Sequence, residues 1–384
     1  MNKIRNFLKK HNVLSIIVVC LVFGVGGGLV GTIIAVNYFI SSSYSLSPFG
    51  NIDLSQSKYG EQGLVIGNAR NVIVQQDAKV NETVGAVSNS LVGIYKKQAA
   101  LKLSDSFVLE NFYKLSDAAG QGFIITSDGW IVTSMSLEKN YSGYVIITKD
   151  KKIYSIDKVA TDKLTNFNFI HVSAKDLPVI KFAEKSEITA GSLAVGVNWS
   201  GSSWLSALQG FRRKGLLVES SDNFSDKLIL NNNLPQDFSG SVIFNLAGNA
   251  LGLADAKGEI EAMSRLKSAA DSLFKNKIIK RPSLGINYID LTQLAADSIT
   301  GSKWQKGVII YKDQKGVAVQ KNSPAEKAGL KEGDIIISVD DVSLSQNNDL
   351  TDLIQDHAFN DNIILSIKRG GDEKKITVTL AEQK

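Results

Sequence analysis

Ser239 lies in the stretch of this chain that could carry covalent chemistry. Apolar residues flank the short segment 247–249 on both sides, so residues 234–253 predict a tight turn that holds the serine, then a strand, a glycine-centred turn and another strand. A serine in such a turn acts as a nucleophile only if a base lies within hydrogen-bond reach and a third group orients that base. The chemistry of Ser239 therefore depends on what the rest of the chain supplies.

Short apolar runs precede and follow this serine between Val80 and Leu253. Turn residues such as Ser127-Asp128-Gly129 separate them. Many short strands at near-regular spacing predict an all-β barrel or sandwich rather than alternating βα units. The runs are residues 91–95, 122–125, 130–133, 144–147, 167–172 and 192–197.

Two of these segments resemble the HtrA-type trypsin-like serine proteases. Residues 120–133 resemble the family segment Gly-Ser-Gly-Val-Ile-Ile-x-x-Asp-Gly-Tyr-Ile-Val-Thr, which continues into Asn-x-His-Val with the general-base histidine. Here the continuation places Ser136 at the histidine position. Residues 166–172 resemble the family's Asp-Leu-Ala-Val-Leu-Lys-Ile, with Asn166 at the position of the catalytic aspartate.

The loop around Ser239 resembles the family's Gly-Asn-Ser-Gly-Gly-Pro, with Ser239 at the nucleophile position. The loop departs from the family at Asp237 and Phe238 before the serine and at Ser241-Val242 after it. In the family, the glycine at the position of Asp237 donates one backbone N–H to the oxyanion hole. A carboxylate beside the developing negative charge opposes the transition state unless it points away.

The resemblance implies a trypsin-like double β-barrel over residues 78–258, with two of its three catalytic groups replaced. His171 is the one histidine in this region, but it lies five residues beyond Asn166, several residue lengths of about 3.3 Å each from the family's catalytic positions. We therefore expect a turn serine retained by descent. A Ser–Lys dyad stays open, although no spacing singles out a lysine.

A helix and a second domain follow the barrels. Residues 259–280 have apolar residues at helical spacing and predict an amphipathic linker helix. Residues 281–384 resemble a PDZ domain, because residues 316–336 match the pattern Gly-x-x-Val…Ser-Pro-Ala-x-x-Ala-Gly-Leu-x-x-Gly-Asp-x-Ile. Within that match, Ser323 can cap a short helix that has Pro324 at its first position.

A PDZ domain binds an extended peptide by adding it to a sheet edge beside a helix, and a backbone loop receives the terminal carboxylate. The resemblance assigns that loop to Ser283, Leu284, Gly285 and Ile286. It offers Leu350, Leu353 and Ile354 of the second helix as pocket residues. Leu353 and Ile354 are equally good candidates for the core.

The amino-terminal part predicts a membrane anchor. Residues 13–36 form an uncharged stretch of 24 residues, and a span needs about 20. Basic residues precede it, which places residues 1–12 in the cytoplasm and the folded domains outside. We expect a transmembrane anchor at 13–40 and a linker at 41–77. A cleaved signal peptide is the alternative, but the apolar run is long for one.

The composition excludes several classes of function. The net charge is only +5 over 384 residues, and no long basic run indicates a nucleic-acid partner. The single cysteine, Cys20, falls within the predicted span, so no disulfide framework is expected outside it. No motif indicates a metal or an organic cofactor.

These features predict a mainly β, single-pass protein of the bacterial cytoplasmic membrane that has lost protease activity and binds carboxy-terminal or extended segments of envelope proteins. We expect it to act in envelope protein quality control, or as a regulator or scaffold that associates with active HtrA relatives. Family resemblance implies a homotrimer. An insertion at 97–119 falls where the family carries a regulatory or oligomer-contacting loop. The alternatives are an active endopeptidase that uses Ser239 with an unidentified base, and an envelope scaffold with an idle PDZ groove.

Overall fold

A computed structural model gives the fold of two compact units, Met1–Lys79 and Val80–Lys384. The residues that it describes are 23–25, 27–28, 44–45, 51–52, 58–60, 63–65, 67–98, 108–137, 141–213, 217–295, 306–346 and 348–383.

The first unit holds two small hairpins and the start of a helix. The hairpins pair β1 with β2 and β3 with β4. Helix α1 follows at Gly67–Ser88, so it begins within the segment 41–77 that the sequence predicts as a linker. Few apolar residues recur there at helical spacing, so the pattern carried little signal. The strands are β1 Tyr44–Ser45, β2 Asn51–Ile52, β3 Lys58–Gly60 and β4 Gly63–Val65.

No helix among the described residues has the length and apolar character needed to cross a membrane. Only residues 23–25 and 27–28 of the predicted anchor are described. The rest of the 13–40 segment lies outside the described residues.

Six antiparallel strands close into the first barrel, in the order β10-β7-β6-β5-β8-β9. Its strands begin soon after α1, and alternate residues fill the barrel interior. The strands are β5 Leu91–Lys96, β6 Gly120–Ile124, β7 Trp130–Thr133, β8 Tyr144–Thr148, β9 Ile153–Thr161 and β10 Asn168–Val172.

A second closed barrel follows, in the order β11-β12-β14-β17-β16-β15. The two barrels confirm the expected trypsin-like architecture. The strands are β11 Leu193–Val197, β12 Ser203–Arg213, β14 Asp226–Leu230, β15 Val242–Asn245, β16 Ala250–Ala254 and β17 Ile260–Ala262.

The linker helix is shorter than the sequence predicts. Helix α2 spans Met263–Asn276, because residues 260–262 form β17 and pair with β14 and β16 to close the second barrel. Lys277 ends the helix in the left-handed conformation, with φ of 65°. Sheet pairing with distant residues therefore overrides the helical pattern at 259–262.

Both barrels and α2 share one apolar core. Phe123 and Phe169 of the first barrel and Phe244 of the second are fully buried in it, together with Leu266 of α2. Burying each such side chain stabilises the fold by about 1.5–3 kcal/mol. This common core fixes how the two barrels pack against each other.

The carboxy-terminal domain has the sheet and helices expected of a PDZ domain. Its main sheet runs β13-β19-β20-β21-β23-β24, β22 pairs with β21, and β18 pairs with β25. Ser323 caps α3 as predicted, accepting from the Glu326 N–H, and Pro324 begins the helix. The elements are β13 Glu219–Ser220, β18 Pro282–Ser283, β19 Asn287–Asp290, β20 Val308–Ile310, α3 Pro324–Lys327, β21 Ile335–Val339, β22 Val342–Ser343, α4 Leu350–Gln355, β23 Asn362–Arg369, β24 Asp372–Thr379 and β25 Ala381–Glu382.

Candidate active site and peptide groove

Ser239 lies where the chain leaves a 3-10 turn, Gln236–Phe238, and approaches β15. Gln121 of β6 anchors this loop. Its Nε2 donates to the Ser239 carbonyl at 2.8 Å, and its Oε1 accepts from the Trp199 backbone N–H at 2.6 Å. The half-buried serine is thereby held between the two barrels.

The backbone N–H of Ser239 points into its own turn. It donates to the carbonyl of Gln236 at 3.1 Å. An oxyanion hole needs N–H donors directed at the place where negative charge develops. Asp237, at the position of the family's donor glycine, is exposed, and its carbonyl accepts from Asn198 Nδ2 at 3.4 Å. In this conformation the Ser239 N–H does not contribute to an oxyanion hole.

Ser136 lies three residues beyond the end of β7, and its neighbour Ser134 lies close to the loop of Ser239. The proximity is seen at Gly240, which has φ of +78° and whose Cβ position would lie 3.3 Å from Ser134 Oγ. Ser136 itself is exposed. A serine hydroxyl does not serve as a general base near neutral pH in the way an imidazole does.

Asn166 occupies the exposed turn before β10, with φ of +62°. Its backbone N–H donates to the Asp162 carbonyl at 2.7 Å. The neighbouring Asn168 is buried, and its Nδ2 donates to the Met135 carbonyl at 2.8 Å. β10 pairs with β7 so that Asn168 lies opposite Thr133, but among the described residues no hydrogen bond joins the Asn166 side chain to Ser136 or Ser239.

His171 is held in a pair of its own on β10. Its Nδ1 lies 2.7 Å from Asp157 Oδ1, and Ser173 Oγ donates to the other carboxylate oxygen at 2.9 Å. Burial acts to raise the pKa of Asp157, but the hydrogen bonds from these two side chains lower it below its ordinary value. His171 pairs with Trp130 at the start of β7. It therefore lies about 10 Å along the strand from the end that approaches Ser239.

The other candidate bases also have partners elsewhere. His357 lies in the carboxy-terminal domain, with Nε2 at 3.4 Å from Asp340 Oδ2. Burial lowers the pKa of Lys149, but its Nζ donates to the Trp199 carbonyl at 2.6 Å. Among the described residues, no histidine or lysine forms a hydrogen bond with Ser239.

The predicted carboxylate-binding loop and pocket lie together in the second domain. Leu284 and Ile286 of the loop and Leu350 and Ile354 of α4 are fully buried in one cluster. Leu353 is only partly buried and packs against that cluster from outside. Ser283 forms the end of β18, where its hydroxyl is half-buried.

Gly285 lies where this loop packs closely against Ser323. It has φ of +82°, and a Cβ there would lie 2.4 Å from Ser323 Cβ. Glycine is therefore the residue that fits between the loop and the capped start of α3.

The sequence did not predict that the loop already holds a carboxylate. Asp222 Oδ1 accepts from the N–H groups of Leu284 at 3.0 Å and Gly285 at 3.2 Å, and Asp222 Oδ2 accepts from Ser283 Oγ at 2.7 Å. Asp222 lies between β12 and β14 of the second barrel, and it is buried. A single aspartate in a polar run gave no signal of this contact.

Buried charges join the two domains. Arg265 of α2 binds Asp226 and Glu261 of the second barrel and Asp352 of α4. Burial acts to lower the pKa of Arg265, but the three carboxylates raise it above its ordinary value. Burial likewise acts to raise the pKa of Asp352, but Arg265 and Lys185 lower it.

A second ion pair ties the start of the carboxy-terminal domain to the first barrel. Arg281 binds Asp162 through two bonds, of 2.6 and 3.1 Å. The side chains are only 4% and 0% exposed.

The described residues contain no cluster of three or more His, Cys, Asp and Glu that could hold a metal ion.

Gln121 is the other functional residue that was missed. It stands where the family motif has serine, in Gly-Ser-Gly, and this departure was the available signal. The structure gives it the role of anchoring the Ser239 loop.

Comparisons with known proteins agree with this architecture. A family model described as "PDZ domain" matches residues 282–380. The serine protease Do-like HtrA of Lactococcus lactis subsp. cremoris (strain MG1363) is 25% identical over 358 residues, which cover 81% of this chain and 85% of that protein. The probable periplasmic serine endoprotease DegP-like of Marinomonas sp. (strain MWYL1) is 26% identical over 278 residues, which cover 68% of this chain.

The chain spans 56% of the length of the Marinomonas protein. Among solved structures, that of the HtrA-type protease AlgW with decapeptide has a TM-score of 0.54 at 16% identity and covers 79% of this chain and 99% of that chain. At this identity the likeness concerns the fold. Together, the double barrel, the PDZ match and the relatives show that the chain is similar to HtrA/DegP-type serine proteases with one PDZ domain.

Proposed function

We propose that this protein is an HtrA-type pseudoprotease that works through its PDZ domain, binding carboxy-terminal or extended segments of envelope proteins. The relatives are named as serine proteases, so the fold is that of a protease. The observation that carries the proposal is the setting of Ser239. Ser136 occupies the position of the family's general base, and the backbone N–H of Ser239 donates to the Gln236 carbonyl.

Three parts of the catalytic machinery are affected at once. The base position has a hydroxyl, the orienting position has the exposed amide of Asn166, and the oxyanion position has the carboxylate of Asp237. In serine proteases, removing a triad member leaves only a small residual rate. Repairing one position would therefore not restore hydrolysis.

The proposed place of action is the outer face of the bacterial cytoplasmic membrane, with residues 13–40 as the anchor. The relative named as periplasmic supports an envelope location. We further propose that the protein forms a homotrimer or associates with active HtrA relatives. Leu109 and Phe112 in the 97–119 insertion, 71% and 55% exposed, offer apolar surface for such contacts.

The PDZ part of the proposal draws on the groove between β19 and α4. PDZ domains bind a peptide between an apolar wall, which receives side chains, and a backbone loop, which receives the terminal carboxylate. The groove has both features, a buried apolar wall and a backbone loop. AlgW, solved with decapeptide, supports a peptide ligand by analogy of fold.

The test compares casein hydrolysis by the full chain and its Ser239→Ala variant between pH 5 and 9. We expect equal, background rates, because no base activates the serine. Hydrolysis by the parent that is lost in Ser239→Ala would establish the alternative, an active endopeptidase. In that case Lys149→Ala asks whether the lysine with the lowered pKa is the base.

A repaired variant provides the positive control. Ser136→His, Asn166→Asp and Asp237→Gly together replace the three family residues. Weak casein hydrolysis by this triple variant, abolished by adding Ser239→Ala, would locate the defect at these positions. An inert triple variant would indicate that the turn at 236–238 keeps the oxyanion hole closed.

A further inference from the structure

We infer that residues 219–222 act as an internal ligand that occupies the PDZ groove, so that an external peptide binds only after this segment is displaced. This inference rests on the proposed peptide-binding function. The segment belongs to the connection between β12 and β14 of the second barrel, yet its strand, β13, is the edge strand of the PDZ sheet.

The main chain of the segment pairs as a peptide ligand does. β13 is antiparallel to β19, with Glu219 opposite Tyr288 and Ser220 opposite Asn287. The Ser221 N–H then donates to the Ile286 carbonyl at 3.0 Å. An extended peptide that adds to a sheet edge forms this kind of ladder.

The side chain of Asp222 supplies the carboxylate that a peptide terminus would bring. It accepts the N–H groups of Leu284 and Gly285 and the hydroxyl of Ser283. These are three members of the loop that the sequence assigned to a terminal carboxylate. Charge-assisted bonds to backbone N–H groups are among the stronger hydrogen bonds in proteins.

The opposite wall of the groove holds the segment as well. Thr351 Oγ1 of α4 donates to the Ser220 carbonyl at 3.3 Å. The Tyr288 hydroxyl lies 3.2 Å from both Glu219 Oε2 and Thr351 Oγ1. The segment therefore fills the space between β19 and α4 where a ligand strand would lie.

No second strand can add to β19 while the segment is in place. One edge of β19 pairs with β13 and the other with β20. A peptide therefore competes with residues 219–222, and its apparent affinity falls by the fraction of molecules in which the groove is open.

Release of residues 219–222 from the groove is coupled to the contacts that hold the PDZ domain against the second barrel. Gln383 Nε2 donates to the Asp222 carbonyl at 2.8 Å. Four residues after Asp222, Asp226 binds Arg265, which also binds Asp352 of α4. Peptide entry thus loosens contacts between the PDZ domain and the second barrel.

The test uses the full chain purified in detergent and fluorescein-labelled peptides with randomised last four residues, each made with a free carboxyl terminus and with an amide cap. We expect Asp222→Ala to bind free-carboxyl peptides at least about tenfold more tightly than the parent, because the competing carboxylate is gone. The amide-capped peptides should gain little. Asn223→Ala, an exposed neighbouring position, is the matched control and should bind like the parent.

Amide hydrogen exchange distinguishes this inference from the proposed function. Asp222→Ala, and to a smaller degree Asp222→Asn, should speed exchange at Leu284 and Gly285, while Asn223→Ala should not. Faster exchange without peptide binding by any variant would support the internal ligand and count against the peptide-binding function. Unchanged exchange, or equal peptide affinity in Asp222→Ala and the parent, would overturn the inference.

Discussion

Arg281→Met tests whether the buried ion pair with Asp162 holds the carboxy-terminal domain onto the first barrel. The two side chains are 4% and 0% exposed and share two hydrogen bonds. Removing one partner of a buried pair typically costs about 3–5 kcal/mol, because the other charge stays buried. Asp162 keeps the Thr165 hydroxyl at 2.7 Å and the Leu164 N–H at 3.3 Å as partners. We therefore expect a loss at the lower end, about 3 kcal/mol in free energy of unfolding.

The assay is urea unfolding of the full chain at pH 7, followed by tryptophan fluorescence. Arg212→Met, at an exposed arginine, is the control and should change stability by less than about 0.5 kcal/mol. The double variant Arg281→Met with Asp162→Leu should regain much of the loss, since no unpaired charge stays buried.

Two results would refute this reasoning. A loss below about 1 kcal/mol in Arg281→Met would place the pair among exposed ion pairs that contribute little. A double variant no more stable than the single one would mean that the loss comes from packing of the arginine stem rather than from the orphaned carboxylate.

Two further predictions concern the carboxy-terminal domain. Because the pKa of Asp352 is lowered in the folded protein, its contribution to stability is complete above the ordinary pKa of about 3.9 and is lost as pH falls through the lower folded pKa. In urea unfolding between pH 7 and 3, the difference in stability between the parent and Asp352→Asn should therefore shrink with acid. A constant difference would contradict the role of Arg265 as the partner of Asp352. Gly285→Ala should destabilise the chain by more than Gly316→Ala in thermal unfolding, because φ is similar but only the first Cβ meets Ser323 at 2.4 Å; equal effects would mean that the loop shifts freely.

Much of the fold was accessible from the sequence because barrels and PDZ domains are built from local patterns. Strand-length apolar runs gave most of the barrel strands, and the Ser323-Pro324 capping signal gave α3. The positions of Ser136, Asn166 and Ser239 followed from motifs, and the structure places the elements that carry the two serines side by side.

The missed features depend on contacts between residues far apart in the chain. β13 has two residues and no periodicity, and its partner Tyr288 lies 69 residues from Glu219. The sheet pairing of β17 likewise overrode a helical pattern at 259–262. Residue types and local spacing contain no information on such pairings.

The most direct test of the central claim, that Ser239 is not an activated nucleophile, is fluorophosphonate labelling of the full chain followed by intact mass and peptide mapping. We predict that the parent is labelled no more than Ser239→Ala, with no adduct at Ser239, while an active HtrA protease labelled in parallel is modified. An adduct at Ser239 in the parent that is absent from the variant would contradict the pseudoprotease account and show that a base reaches this serine.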